Sequence, residues 1–109
     1  VVVEPFLPRE RECLNARELE QAFAANSTLA RKLDGFELRP QQIEMTESIA
    51  AAFNRNGIAL IEAPTGVGKT LAYLLPATLW ALRNKERIVI STRTINLQEQ
   101  IILHDLPLL

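Results

Sequence analysis

The spacing of apolar residues changes several times along the chain, and each change marks an element. Leu14, Leu19, Ala22 and Phe23 share one helical face, with Asn15 placed as N-cap and Glu18 three residues on, in capping-box position. Residues 27–33 predict a short second helix ended by Asp34-Gly35. Pro40 suits the first turn of a third helix; Ile43, Ile49, Ala50 and Phe53 mark its buried side and Asn56-Gly57 its end. Helical spacing then gives way to a short continuous apolar run behind Gly57, the mark of a buried parallel strand at residues 58–62. From Leu71 to about Asn84 the chain is apolar nearly all round, which predicts a buried helix kinked at Pro76. Residues 87–92 predict a second strand, and residues 95 to about 104 a last helix. Strand, crossover helix and strand make one right-handed βαβ unit. The fold class expected is therefore α/β, with a helical segment in front.

Size and composition narrow the function. The 109 residues fit one domain, and a net charge of −1 means that any nucleic-acid site is local rather than global. The single cysteine, Cys13, excludes an internal disulfide and points to a reducing, cytoplasmic setting. Residues 1–3 are apolar but are broken at once by Glu4 and Pro5, so they do not form a signal peptide. The longest apolar stretch, residues 71–82, is too short to span a bilayer and contains Pro76, so no membrane partner is expected. With no opening Met and an apolar close at Leu106-Pro107-Leu108-Leu109, the chain is expected to be an excerpt of a longer protein.

Between the first predicted strand and the helix after it lies Ala63-Pro64-Thr65-Gly66-Val67-Gly68-Lys69-Thr70. Such a run suits phosphate. Gly66 and Gly68 allow successive amides to turn inward as an anion nest. Lys69 carries a compact ammonium for the β- and γ-phosphates, and the hydroxyl of Thr70 is a Mg²⁺ ligand. The helix N-terminus adds free N–H groups and a favourable dipole. Ala63 stands where the stricter pattern has glycine. The plain alternative is a glycine-rich turn that binds nothing.

Two further stretches flank this loop: Phe36-Glu37-Leu38-Arg39-Pro40-Gln41-Gln42 upstream, and Ser91-Thr92-Arg93-Thr94-Ile95-Asn96-Leu97-Gln98-Glu99-Gln100 downstream. With the loop and Leu71-Ala72-Tyr73-Leu74-Leu75-Pro76-Ala77 they resemble, from about Ser27 onward, the start of a superfamily 2 DNA helicase of the DinG/XPD (Rad3-like) type. The resemblance implies a partial RecA-like P-loop domain at residues 27–109, preceded by an extension or linker at residues 1–26. It implies ATP and Mg²⁺ as cofactors, with Arg39, Gln42 and the loop residues Ala63 to Thr70 at the nucleotide, and Lys69 and Thr70 as the catalytic pair. A carboxamide both donates and accepts, so Gln42 can read an adenine edge. Thr92, Arg93, Thr94 and Gln98 match the segment that holds single-stranded DNA, where hydroxyls and backbone amides suit phosphate. A second RecA-like domain of the same polypeptide, 5′→3′ movement and, in many members, a 4Fe–4S cluster with ligands outside this chain are also implied. The segment alone is then expected to bind ATP weakly without turning it over.

Each of these residues has a plainer reading. Gln41 and Gln42 are solvated residues of a first helical turn; Thr94 is simply an N-cap; Phe36, Trp80 and Tyr73 are core; Cys13 is a small residue on the first helix; His104 lies on the surface; Glu62 ends a strand. At the level of the whole protein, an ATP-gated DNA-binding module of a nuclease-linked repair protein competes with the helicase, as does an unrelated P-loop kinase or transport ATPase.

Overall fold

The computed structural model describes residues 11–23, 40–63 and 69–109. Helix α1 covers Ala16–Ala22, α2 Pro40–Arg55, α3 Lys69–Asn84 and α4 Ile95–Gln100; a π-helical turn at Ile101–Asp105 and a last turn, α5, at Leu106–Leu108 follow. The expected helix at residues 27–33 lies outside the described residues.

Helices α2 and α3 each have 16 residues and form the centre of the fold. They run parallel. Near their starts the Thr46 hydroxyl of α2 donates to the Ala72 carbonyl of α3 at 2.9 Å. About two turns further along both helices, Phe53 stacks on Trp80, with ring centroids 5.4 Å apart. The core lies where α1 meets this pair: Leu14, Leu19 and Phe23 pack with Ala50, Leu75 and Trp80. Burying each of the leucines and the phenylalanine contributes roughly 1.5–3 kcal/mol.

Local chemistry explains the helix ends. The Asn15 side chain accepts from the Arg17 amide at 2.8 Å and caps α1. Glu18 does something other than complete a capping box: its carboxylate pairs with Arg83 of α3. Helices α2 and α3 stop alike. Asn56 and Lys85 adopt φ of 52°, and the next amides, of Gly57 and Glu86, reach back to the carbonyls of Ala52 at 2.8 Å and Ala81 at 3.3 Å. This is the Schellman arrangement. The C-terminal helical run extends to Leu108, and its widened turn ends at Asp105, two residues before Pro107, which has no amide hydrogen to offer.

The far ends of α2 and α3 are tied by residues 11–15. Asn84 accepts from the Glu12 amide at 2.7 Å and donates to the Glu12 carbonyl at 3.2 Å. Asn54 treats Leu14 the same way, at 2.7 and 3.0 Å. Arg11 pairs with Glu86, whose other oxygen accepts from Trp80 Nε1 at 3.1 Å. Cys13 is exposed in this strap, not on α1 as expected.

The α/β expectation fails. Among the described residues there is no strand and no sheet, so the parallel βαβ unit, and with it the partial RecA-like architecture, is not formed. Residues 58–62 and 87–92 run beside α2 and α3 without regular structure. Ile58, Leu60 and Val89 are 93%, 96% and 91% exposed. An apolar run identifies a segment suited to a sheet, but the ladder needs partner strands on either side, and an isolated pair is marginal in water. The helices, whose hydrogen bonds are internal, form regardless.

Candidate nucleotide-binding site

Because α2 and α3 are parallel, their N-termini lie at one end of the pair. Gln42 sits one turn before Thr46 on α2, and Lys69 sits one turn before Ala72 on α3, so the bond between Thr46 and Ala72 brackets both at the same level. Neither helix carries an acidic residue in its first turn. Two positive dipole ends, the exposed Lys69 and no nearby competing carboxylate on those turns favour an anion there. Thr70 is half-buried as the second residue of α3, and Ala63 is half-buried before it. Arg39, Pro64, Thr65, Gly66, Val67 and Gly68 lie outside the described residues.

Gln42 differs from the solvated residue of the plainer reading. Gln41 is exposed, but Gln42 is only 3% exposed. A base reaches its carboxamide only if the side chain turns outward or its cover moves. The donor set suits Mg²⁺ in the usual partial way: the Thr70 hydroxyl is one oxygen ligand, and phosphate oxygens and water make up the rest. It does not suit an iron–sulfur cluster, since Cys13 is the one thiol in the sequence and a cluster needs four ligands.

The downstream residues stand around the start of α4. Thr94 is the N-cap of α4 and its hydroxyl accepts from the Leu97 amide at 3.2 Å, while Thr92 donates to the Thr94 carbonyl at 3.1 Å. Arg93, Thr94 and Gln98 are exposed and Thr92 is half-buried. Ser91 and Thr92 also reach a groove of about 840 Å³, walled by Met45, Ile49, Tyr73 and Trp80, that Lys69, Thr70 and Gln42 do not line. Trp80 is core, as expected, and His104 and Glu62 are exposed.

Three polar residues of consequence escape a reading of apolar spacing: Thr46, Asn54 and Asn84. The available signal is chemical. Thr46 is one turn from Gln42 on the same face, and Asn is a poor helix residue at the ends of two apolar helices. Elsewhere, Glu47 of α2 shares a side-chain hydrogen bond with Glu20 of α1, which raises its pKa above 4.5; desolvation and the charges of Glu20 and Glu44 act in the same direction.

Residues 35–105 match the profile of the family described as type III restriction enzyme, res subunit (ResIII). The chain belongs to this family. Among curated proteins it is 40% identical to the "3'-5' exonuclease DinG" of Bacillus subtilis (strain 168), over 94% of this chain and 12% of that protein. It is 37% identical to the "ATP-dependent DNA helicase YoaA" of Haemophilus influenzae, over 83% of this chain and 13% of that protein. It is 46% identical to an "ATP-dependent helicase DinG" of Mycobacterium tuberculosis, over 69% and 11% respectively. The resemblance to DinG-type superfamily 2 helicases thus holds, and the Bacillus match extends upstream of Ser27. The ResIII chain spans about an eighth of the length of these relatives. No solved structure matches it. No helix among the described residues is long and apolar enough to cross a membrane.

Proposed function

We propose that this ResIII segment is the ATP-binding part of an ATP-dependent DNA helicase, acting with a further domain of the same polypeptide. The observation that carries the reading is the parallel pairing of α2 and α3, which brings Gln42 level with Lys69. The names of the Haemophilus and Mycobacterium relatives support ATP as the fuel, and that of the Haemophilus relative supports DNA as the substrate.

In this reading the triphosphate lies at the N-terminus of α3. Lys69 would neutralise the β- and γ-phosphates, the loop residues Ala63 to Gly68 would supply the amides that meet them, and Thr70 would be a Mg²⁺ ligand. Gln42 recognises adenine, with Arg39 the other nucleotide residue of its motif. Thr92, Arg93, Thr94 and Gln98 grip strand phosphates. Closure of the further domain over the γ-phosphate alternates with release, and the grip advances 5′→3′, a polarity taken from the resemblance alone. Catalysis comes from positioning and charge stabilisation of the phosphoryl group. The reading keeps residues 27–109 as the ATP-binding part and residues 1–26 as its extension, in a cytoplasmic protein; a 4Fe–4S cluster would take its ligands from elsewhere in the polypeptide.

In the whole protein, Lys69→Ala abolishes DNA-stimulated ATP hydrolysis while leaving the fold intact; retained turnover refutes the site. Residues 1–109 alone bind ATP weakly and do not hydrolyse it. A second reading has its own support. The Bacillus relative, matched over 94% of this chain, is named an exonuclease, which favours an ATP-gated DNA-binding module without unwinding. Strand separation on a tailed duplex distinguishes the two.

A further inference from the structure

Pro76 lies in the interior of α3, fully buried, and the helix runs unbroken through it. A proline has no amide hydrogen, so the carbonyl four residues back, that of Ala72, loses its helical donor. That carbonyl is the one the Thr46 hydroxyl reaches, at 2.9 Å, between two residues that are both 0% exposed. Thr46 is therefore not bonding back along its own helix, the usual habit of a helical hydroxyl. Ser48, two residues on, does bond back, to the Glu44 carbonyl at 3.0 Å. The acceptor that α3 leaves over is taken by α2.

The bond lies one turn behind Gln42 and one turn behind Lys69. From this geometry we propose that Thr46, acting through the carbonyl that Pro76 frees, is a positioning residue that sets the span between the base-reading and phosphate-binding ends of the nucleotide site. The inference rests on the ATP reading above. Hydrophobic contacts fix the separation of two helices but let them slide and rotate; a buried hydrogen bond to a main-chain carbonyl fixes both. A nucleotide that touches Gln42 with its base and Lys69 with its phosphates senses that span. A ligand that is phosphate alone does not.

The test uses the whole protein and three probes: ATP, GTP and inorganic tripolyphosphate, each measured in equilibrium binding beside the denaturation midpoint. Thr46→Val keeps the shape and removes the donor. It lowers ATP affinity about tenfold, narrows the preference for ATP over GTP, and leaves tripolyphosphate within about twofold. Thr46→Ser keeps the donor and stays close to wild type. The double variant Thr46→Val with Pro76→Ala separates position from stability, because the amide of residue 76 then satisfies the Ala72 carbonyl within α3. Its midpoint recovers relative to Thr46→Val, whereas its ATP affinity stays low. The proposal is overturned if Thr46→Val binds ATP as wild type does, if tripolyphosphate affinity falls in step with ATP, or if the double variant regains ATP affinity along with stability. A wild-type protein that binds tripolyphosphate without preferring ATP removes the adenine reading first, and this inference with it.

Discussion

Asn84 and Glu12, 72 residues apart, exchange two hydrogen bonds: the carboxamide of one accepts from the amide and donates to the carbonyl of the other. Asn54 does the same to Leu14. A carboxamide has the donor and acceptor of a peptide group, so each Asn pairs with the strap much as a neighbouring strand would. Two such clamps, on alternate residues of the strap and at the ends of two parallel helices, lock the end of the molecule opposite Gln42 and Lys69.

Removing either amide leaves backbone groups of the strap without their partner. Asn54→Ala and Asn84→Ala should each destabilise the intact protein by about 1–2 kcal/mol. Hydrogen exchange at the Leu14 amide in the first variant and the Glu12 amide in the second should accelerate, with residues 40–55 less affected. Unchanged protection at those two amides would mean that the clamps do not hold the strap in solution.

Among the described residues, the pattern foretold the helices well and the strap not at all. Asn15, Pro40 and Asn56 announce helix ends because caps and Schellman turns depend on a few neighbouring residues. Leu14, Leu19 and Phe23 are core because apolar spacing and burial share one cause. Residues 58–62 and 87–92 misled for the opposite reason: their composition reports suitability for a sheet, while a ladder depends on partners that no local pattern encodes. The clamps were illegible because Asn54 and Asn84 bond to residues 40 and 72 positions away. At the candidate site, motif spacing named Gln42, Lys69 and Thr70, but only the crossing bond of Thr46 to Ala72 reveals that the first two stand at one level.

Lys85 holds φ of 52° at the end of α3, a conformation that costs a side chain with a Cβ roughly 1–2 kcal/mol and costs glycine nothing comparable. Asn56, its counterpart at the end of α2, is a residue that tolerates this region. Lys85→Gly should therefore stabilise the intact protein by about 1 kcal/mol, even though glycine loosens the unfolded chain and offsets part of the gain. A rise in the urea midpoint at constant slope is the expected result. An unchanged or lower midpoint would show that the left-handed turn is not under strain.

Glu47 offers a pH test of how α1 sits on α2. Its pKa is raised above 4.5 chiefly by the hydrogen bond with Glu20, so the folded state holds a proton that the unfolded state gives up first. The contribution to stability is then fully present below pH 4.5 and is lost as pH rises through the raised folded value. At neutral pH the two carboxylates repel. Glu47→Gln keeps a hydrogen-bonding partner for Glu20 without the charge. Its stability relative to wild type should therefore increase from pH 4 to pH 7. Parallel pH profiles for the two proteins would rule out the shared proton.

Thr94 is the sharpest case of one residue with two candidate roles. Its hydroxyl caps α4 by accepting from the Leu97 amide, and the same exposed position is proposed to meet a strand phosphate. Thr94→Ala cannot separate these roles, because it removes both. Thr94→Asp can, since aspartate is at least as good an N-cap as threonine but carries a charge that repels phosphate. If Thr94 touches the strand, Thr94→Asp should keep the amide of Leu97 protected from hydrogen exchange and weaken single-stranded DNA binding several-fold. That loss should be uniform across sequences and larger at low salt, as expected of a backbone contact. Arg93→Ala, which leaves the cap untouched, should lower the salt slope of binding by about 1 if its guanidinium neutralises a phosphate. DNA affinity in Thr94→Asp equal to wild type at low salt would reduce Thr94 to a cap. An unchanged slope in Arg93→Ala would remove the neighbouring contact as well.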